Sequence, residues 1–62
     1  MQRFEQIYTS HRDAVDAYVR RRIAPDVVED VVAEVFLVCL RRIDDVPSPP
    51  LPWLYAVARK TL

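Results

Sequence analysis

The sequence predicts an all-α fold, a small bundle of three to four helices forming one domain over residues 1–62. Three observations carry that expectation. Apolar residues recur at spacings of three and four along two long stretches, the period of a helix with one buried face. Prolines punctuate those stretches, the chain holding five prolines and no glycine. With 62 residues and 52% apolar side chains, the chain can build one compact core but not two, on a thin stability margin.

The first helical stretch runs from about Gln2 to Ile23, with Phe4, Ile7, Tyr8, His11, Val15, Tyr18 and Val19 on its apolar side. Thr9 and Ser10 are weak helix formers at its middle, and Ser10 is a competent N-cap. Either one bent helix or two short ones satisfies the pattern. The stretch ends at Ala24-Pro25, because a residue preceding proline avoids the helical region. Asp26 and Glu29 then stand three apart, a capping-box arrangement that predicts a second helix from about Val27 to Ile43. Its stripe is Val28, Val31, Val32, Val35, Phe36, Cys39, Leu40 and Ile43. Branched valines lower helix propensity slightly, but the period is that of a helix and the length exceeds a strand.

Residues 44–52 read DDVPSPPLP, and four prolines in six positions exclude a regular helix and favour an extended loop. Pro52 suits the first position of a last helix over 52–62, where its missing N–H costs nothing. That helix carries Trp53, Leu54, Val57, Ala58 and Leu62. It meets the end of the sequence near its third turn, which predicts truncation of a longer helix.

Charge and composition narrow the function. Nine basic and nine acidic residues give a net charge of zero, without the overall basic excess usual in a free-standing DNA-binding domain. The charges are nevertheless segregated. Residues 1–22 hold five basic and three acidic groups, residues 26–34 hold Asp26, Glu29, Asp30 and Glu34 with no base, and Arg59 and Lys60 lie near the end. Two basic ends around an acidic middle suit a module with two different partners. Cys39 is the single cysteine, so neither an internal disulfide nor a cysteine metal cluster is available. The clustered carboxylates have helical rather than loop spacing, which disfavours a divalent-cation cage. No phosphate-binding glycine loop, metal-ligand spacing or activated nucleophile is present, and we expect no enzyme activity, cofactor or small-molecule substrate. The polar first six residues and the absence of a long apolar run predict a cytoplasmic chain without membrane contact.

Asp26 to Arg42, DVVEDVVAEVFLVCLRR, followed by a loop and PWLYAVARKTL, resembles region 2 of bacterial extracytoplasmic-function sigma factors, and the opening FEQIYTSHRDAVDAYVRRR resembles the first helices of that family. The resemblance spans essentially the whole chain, with the blocks in order. It implies a transcription-initiation module with no catalytic chemistry, docked on the β′ clamp helices of RNA polymerase and holding the melted −10 promoter element on the non-template strand. It also implies an anti-sigma factor as a further partner.

With the valine stripe turned inward, Asp30, Ala33, Glu34, Leu37 and Arg41 fall on one outer line of the second helix. Two carboxylates beside an exposed leucine can dock a basic partner helix; without the resemblance they read as ordinary solvated charges. The resemblance assigns this line to polymerase binding, with Ala33 standing where the family usually has glutamine. It assigns the DNA to the loop and last helix, where Ser48, Tyr55, Arg59 and Lys60 are the candidates. Cations would meet phosphates and a flat ring would stack on a base. Lys60 stands where asparagine is common. Trp53 is expected in the core, His11 as a half-buried neutral residue, and Cys39 as a small apolar one. The run Arg20-Arg21-Arg22 fits either a nucleic-acid or polymerase contact or complementation of a helix C-terminus. A different class of function fits the neutral charge as well: a helical protein-interaction module that never touches DNA.

Overall fold

A computed structural model describes residues 2–62 as three α-helices, α1 (Gln2–Arg20), α2 (Val28–Arg41) and α3 (Leu51–Thr61), with short 3-10 turns at Pro25–Val27 and Ile43–Asp45. No strand occurs among the described residues. Tyr8 meets Phe36 and Arg3 meets Ile43, so α1 and α2 run antiparallel. Tyr18 meets Tyr55, and Ser10 and His11 lie beside Ser48 and Pro50, so α3 returns alongside α1 in the same direction. The radius of gyration is 10.8 Å, matching the ~10.6 Å expected of a compact chain of this length.

The core is one cluster. Ile7, Val15 and Val19 enter it from α1, Val28, Val32, Val35, Phe36 and Cys39 from α2, and Leu54 and Ala58 from α3. Val46, from the connecting loop, is also buried. The α2 residues are spaced by three and four, so tertiary burial stabilises the valine-rich segment as a helix despite its modest intrinsic propensity. Cys39 is fully enclosed, as the sequence predicts, whereas Trp53, expected in the core, is half-buried and packs against the cluster from outside.

α1 stops at Arg20 rather than Ile23 and α2 spans Val28–Arg41 rather than 27–43, and three further local features differ from the sequence expectation. α1 is a single helix through Thr9 and Ser10, since burial on both sides of that point outweighs the weak propensity of two residues. The capping box at Asp26 and Glu29 does not form. The N-cap is Val27, with no side-chain bond. Pro25 instead starts a 3-10 turn leading directly into α2; the Val27 amide donates to the Ala24 carbonyl at 3.1 Å and the Val28 amide to that of Pro25. These backbone bonds satisfy donors that a cap would otherwise serve. Finally, α3 begins at Leu51, one residue earlier than expected, with Pro52 still in the first turn and the Leu54 amide bonded to the Pro50 carbonyl at 3.0 Å.

Leu54 is the largest fully buried side chain. Truncating a buried leucine costs about 2–5 kcal/mol, against a total stability of about 3–9 kcal/mol for a chain of this length. The Leu54→Ala protein should lose its cooperative thermal transition, or melt far lower, in circular dichroism. A transition unchanged from wild type would show that α3 contributes little to the core.

Candidate functional site

The outer line of α2 is laid out as its periodicity demands. Asp30, Ala33, Glu34, Leu37 and Arg41 are all exposed, Leu37 at 45% of its surface, and they lie opposite the buried stripe. Among the described residues, the ion pairs are Arg20 with Asp16 at 2.9 Å and Arg42 with Asp45 at 3.7 Å. Asp30, Glu34 and Arg41 take part in neither. A polar strip that includes the apolar Leu37 is therefore left to solvent. Beside it, Tyr8, Arg12, Asp16, Glu29, Val32 and Ala33 line a groove between α1 and α2. Ala33 borders that groove, and its small side chain keeps it open.

The second candidate group is split by the structure. Ser48, Arg59 and Lys60 are exposed. Lys60 also lines a shallow groove between α2 and α3 with Arg42 and Trp53. Tyr55 is half-buried, and its ring stacks on Tyr18 with centroids 4.8 Å apart and planes inclined by 24°. The guanidinium of Arg22 lies 3.7 Å from the centre of the Tyr18 ring and donates to the Tyr18 carbonyl at 2.8 Å. Arg22, Tyr18 and Tyr55 thus form a continuous stack, and one face of Tyr55 is already occupied. Arg59 follows Tyr55 by one helical turn and extends the same side of α3.

The side chains of two of the three residues in the Arg20-Arg21-Arg22 run have partners in α1. Arg20 pairs with Asp16, and Arg22 covers Tyr18 and satisfies a carbonyl at the end of α1, which favours the helix-end role for these two. His11 is half-buried and lines a cleft between α1 and the proline-rich loop with Arg3, Gln6, Ile7, Ser10, Ser48 and Pro50. Among the described residues no group of three or more His, Cys, Asp or Glu side chains is arranged to hold a metal ion. No helix among the described residues is long and apolar enough to cross a membrane.

Two further residues shape this region without a local sequence signal for their role. Val46 is an isolated apolar residue in a polar, proline-rich stretch, and it plugs the core. Arg3 makes the only side-chain hydrogen bonds among the described residues that reach beyond one helical turn. Its partners are some forty residues away, so no local pattern signals them.

Comparison with protein-family models, with characterised proteins and with solved structures finds no match to this chain.

Burial pushes the Cys39 thiol above its ordinary range, and the positive charge of Arg3 offsets this only in part. A thiol whose pKa is raised by folding holds its proton more tightly in the native state. Its contribution to stability is therefore complete at neutral pH and is lost as pH climbs past the ordinary thiol range. In native protein at neutral pH, Cys39 should resist alkylation by iodoacetamide and react only after denaturation, as read by mass spectrometry. Rapid native alkylation would mean that the α2 stripe opens readily.

Proposed function

We propose that the chain is a transcription-initiation module of the sigma region 2 kind, which binds the β′ clamp helices of bacterial RNA polymerase through α2 and holds unpaired −10 promoter DNA with the proline-rich loop and α3. The observation that carries this reading is the outer line of α2. Asp30 and Glu34 stand one turn apart beside an exposed leucine, Leu37, and have no ion-pair partner among the described residues. A cationic helix from a partner would meet complementary charge and, beside it, an apolar anchor. The resemblance of DVVEDVVAEVF and WLYAVAR to the family supports the same assignment.

On this reading the DNA half works by selective binding. Arg59 and Lys60, exposed in the last turn of α3, attract the phosphates of a single strand. Ser48 offers a hydroxyl at the loop. The phosphate contacts alone do not distinguish strand from duplex. Preference for the open form requires the loop to hold bases freed from pairing, and that preference shifts the duplex towards its open form without covalent chemistry. An anti-sigma factor would act by covering the same outer line of α2.

One observation favours the second reading, a protein-interaction module without DNA contact. Tyr55, the aromatic residue best placed to stack on a base, is stacked on Tyr18. In that case the α2 line would still bind a protein partner, and α3 would serve only the core.

A pull-down on an immobilised β′ clamp-helix fragment tests the first half. Wild type should be retained, and the double variant Asp30→Arg, Glu34→Arg should be lost to background; equal retention, or none for either, removes the polymerase assignment. For the second half, titration of a labelled single-stranded oligonucleotide should show Arg59→Ala binding several-fold more weakly, with a shallower salt dependence. Affinity indistinguishable from wild type would take Arg59 out of the DNA surface and favour the second reading.

A further inference from the structure

Arg3 projects from the first turn of α1 onto the segment that follows α2. Its Nη1 donates to the Ile43 carbonyl at 2.7 Å, and its Nη2 donates to the Val46 carbonyl at 2.5 Å, with a longer contact to the Pro47 carbonyl at 3.5 Å. The segment needs such donors. Residues 47, 49, 50 and 52 are prolines, which have carbonyls but no N–H, so the stretch has an excess of acceptors that it cannot satisfy itself. A planar guanidinium with five donors in a fixed fork can span two carbonyls of one turn; an ammonium is a single point of charge.

These bonds act where the loop's shape matters. Below the fork, Val46 is seated in the core, 5% exposed. Just beyond it, Ser48 and Pro50 form one wall of the cleft whose other wall is Gln6, Ile7, Ser10 and His11 of α1. Arg3 itself lines that cleft, so the residue that ties the loop down also sets the distance between the two walls.

We propose that Arg3 is a positioning residue: it latches residues 43–47 to α1, and so holds Ser48 and the proline-rich loop in the one shape that can receive an unpaired nucleotide. The part concerning the nucleotide rests on the strand-capture reading above; the latch does not. Arg3 acts here through geometry rather than net charge, which separates it from Arg59 and Lys60.

The test compares wild type, Arg3→Ala and Arg3→Lys by two measurements on the same 62-residue chain. The first is amide hydrogen exchange. The Asp45 and Val46 amides bond to the Arg42 and Ile43 carbonyls at 2.8 and 3.4 Å within the latched turn. In both variants these amides should exchange at least about tenfold faster, the equivalent of about 1.4 kcal/mol of lost protection, while amides at the centre of α2 keep their wild-type rates. Unchanged exchange at Asp45 and Val46, or equal acceleration throughout α2, overturns the latch. The second measurement is fluorescence anisotropy with a labelled single-stranded DNA of randomised sequence, about twelve nucleotides long. Arg3→Lys should bind about as weakly as Arg3→Ala; a lysine variant that binds like wild type shows a charge role and overturns the positioning proposal. Should wild type itself not bind the strand, the strand-capture reading falls, and exchange alone decides whether Arg3 holds the loop.

Discussion

The architecture depends on burying one broad stripe of α2 between two flanking helices. Val28, Val32, Val35, Phe36 and Cys39 are each less than 8% exposed, and they receive α1 on one side and α3 on the other. A helix wedged between two neighbours has only a narrow arc left for solvent. On α2 that arc is Asp30, Ala33, Glu34, Leu37 and Arg41. The burial that stabilises the domain is thus what orients the outer charged line, and no separate device is needed to present it. Branched valines suit this role because their stiff side chains lose little rotamer freedom on packing.

The ends of the helices are handled with unusual economy of residue types. There is no glycine for a left-handed C-cap, and neither α2 nor α3 has a side-chain N-cap bond. Backbone groups of adjoining 3-10 turns take over before and after α2, prolines remove donors at the starts of α2's lead-in turn and of α3, and arginines supply donors elsewhere. Arg22 serves the end of α1, and Arg3 serves the turn beyond α2. Exposed ion pairs contribute little by comparison. Arg20–Asp16 and Arg42–Asp45 both lie largely in solvent, where such pairs are worth about 0–1 kcal/mol.

The outer line of α2 was legible in the sequence because a helix converts spacing into direction at a fixed 3.6 residues per turn. Once the valine stripe faces inward, the residues on the other side follow. The loop and α3 were legible only in part. Ser48, Arg59 and Lys60 are exposed, as their polarity suggests, but Tyr55 turns towards Tyr18 because a large ring gains more by stacking on a neighbour than by standing in water. The Asp26–Glu29 pair had the spacing of a capping box, yet Pro25 redirects the chain into a 3-10 turn, leaving Val27 in the cap position.

Sequence alone therefore determined the all-α class, the existence of its helices and which side of α2 is charged, since each follows from periodicity and proline placement within one segment. Tertiary structure alone decided the pairing of Tyr18 with Tyr55, the seating of Val46 and the reach of Arg3 across the molecule. Those contacts join residues some forty positions apart, and local spacing holds no record of them. They exist because closing the core brings the start of α1 against the segment that follows α2, where the Arg3 guanidinium reaches the Ile43 and Val46 carbonyls.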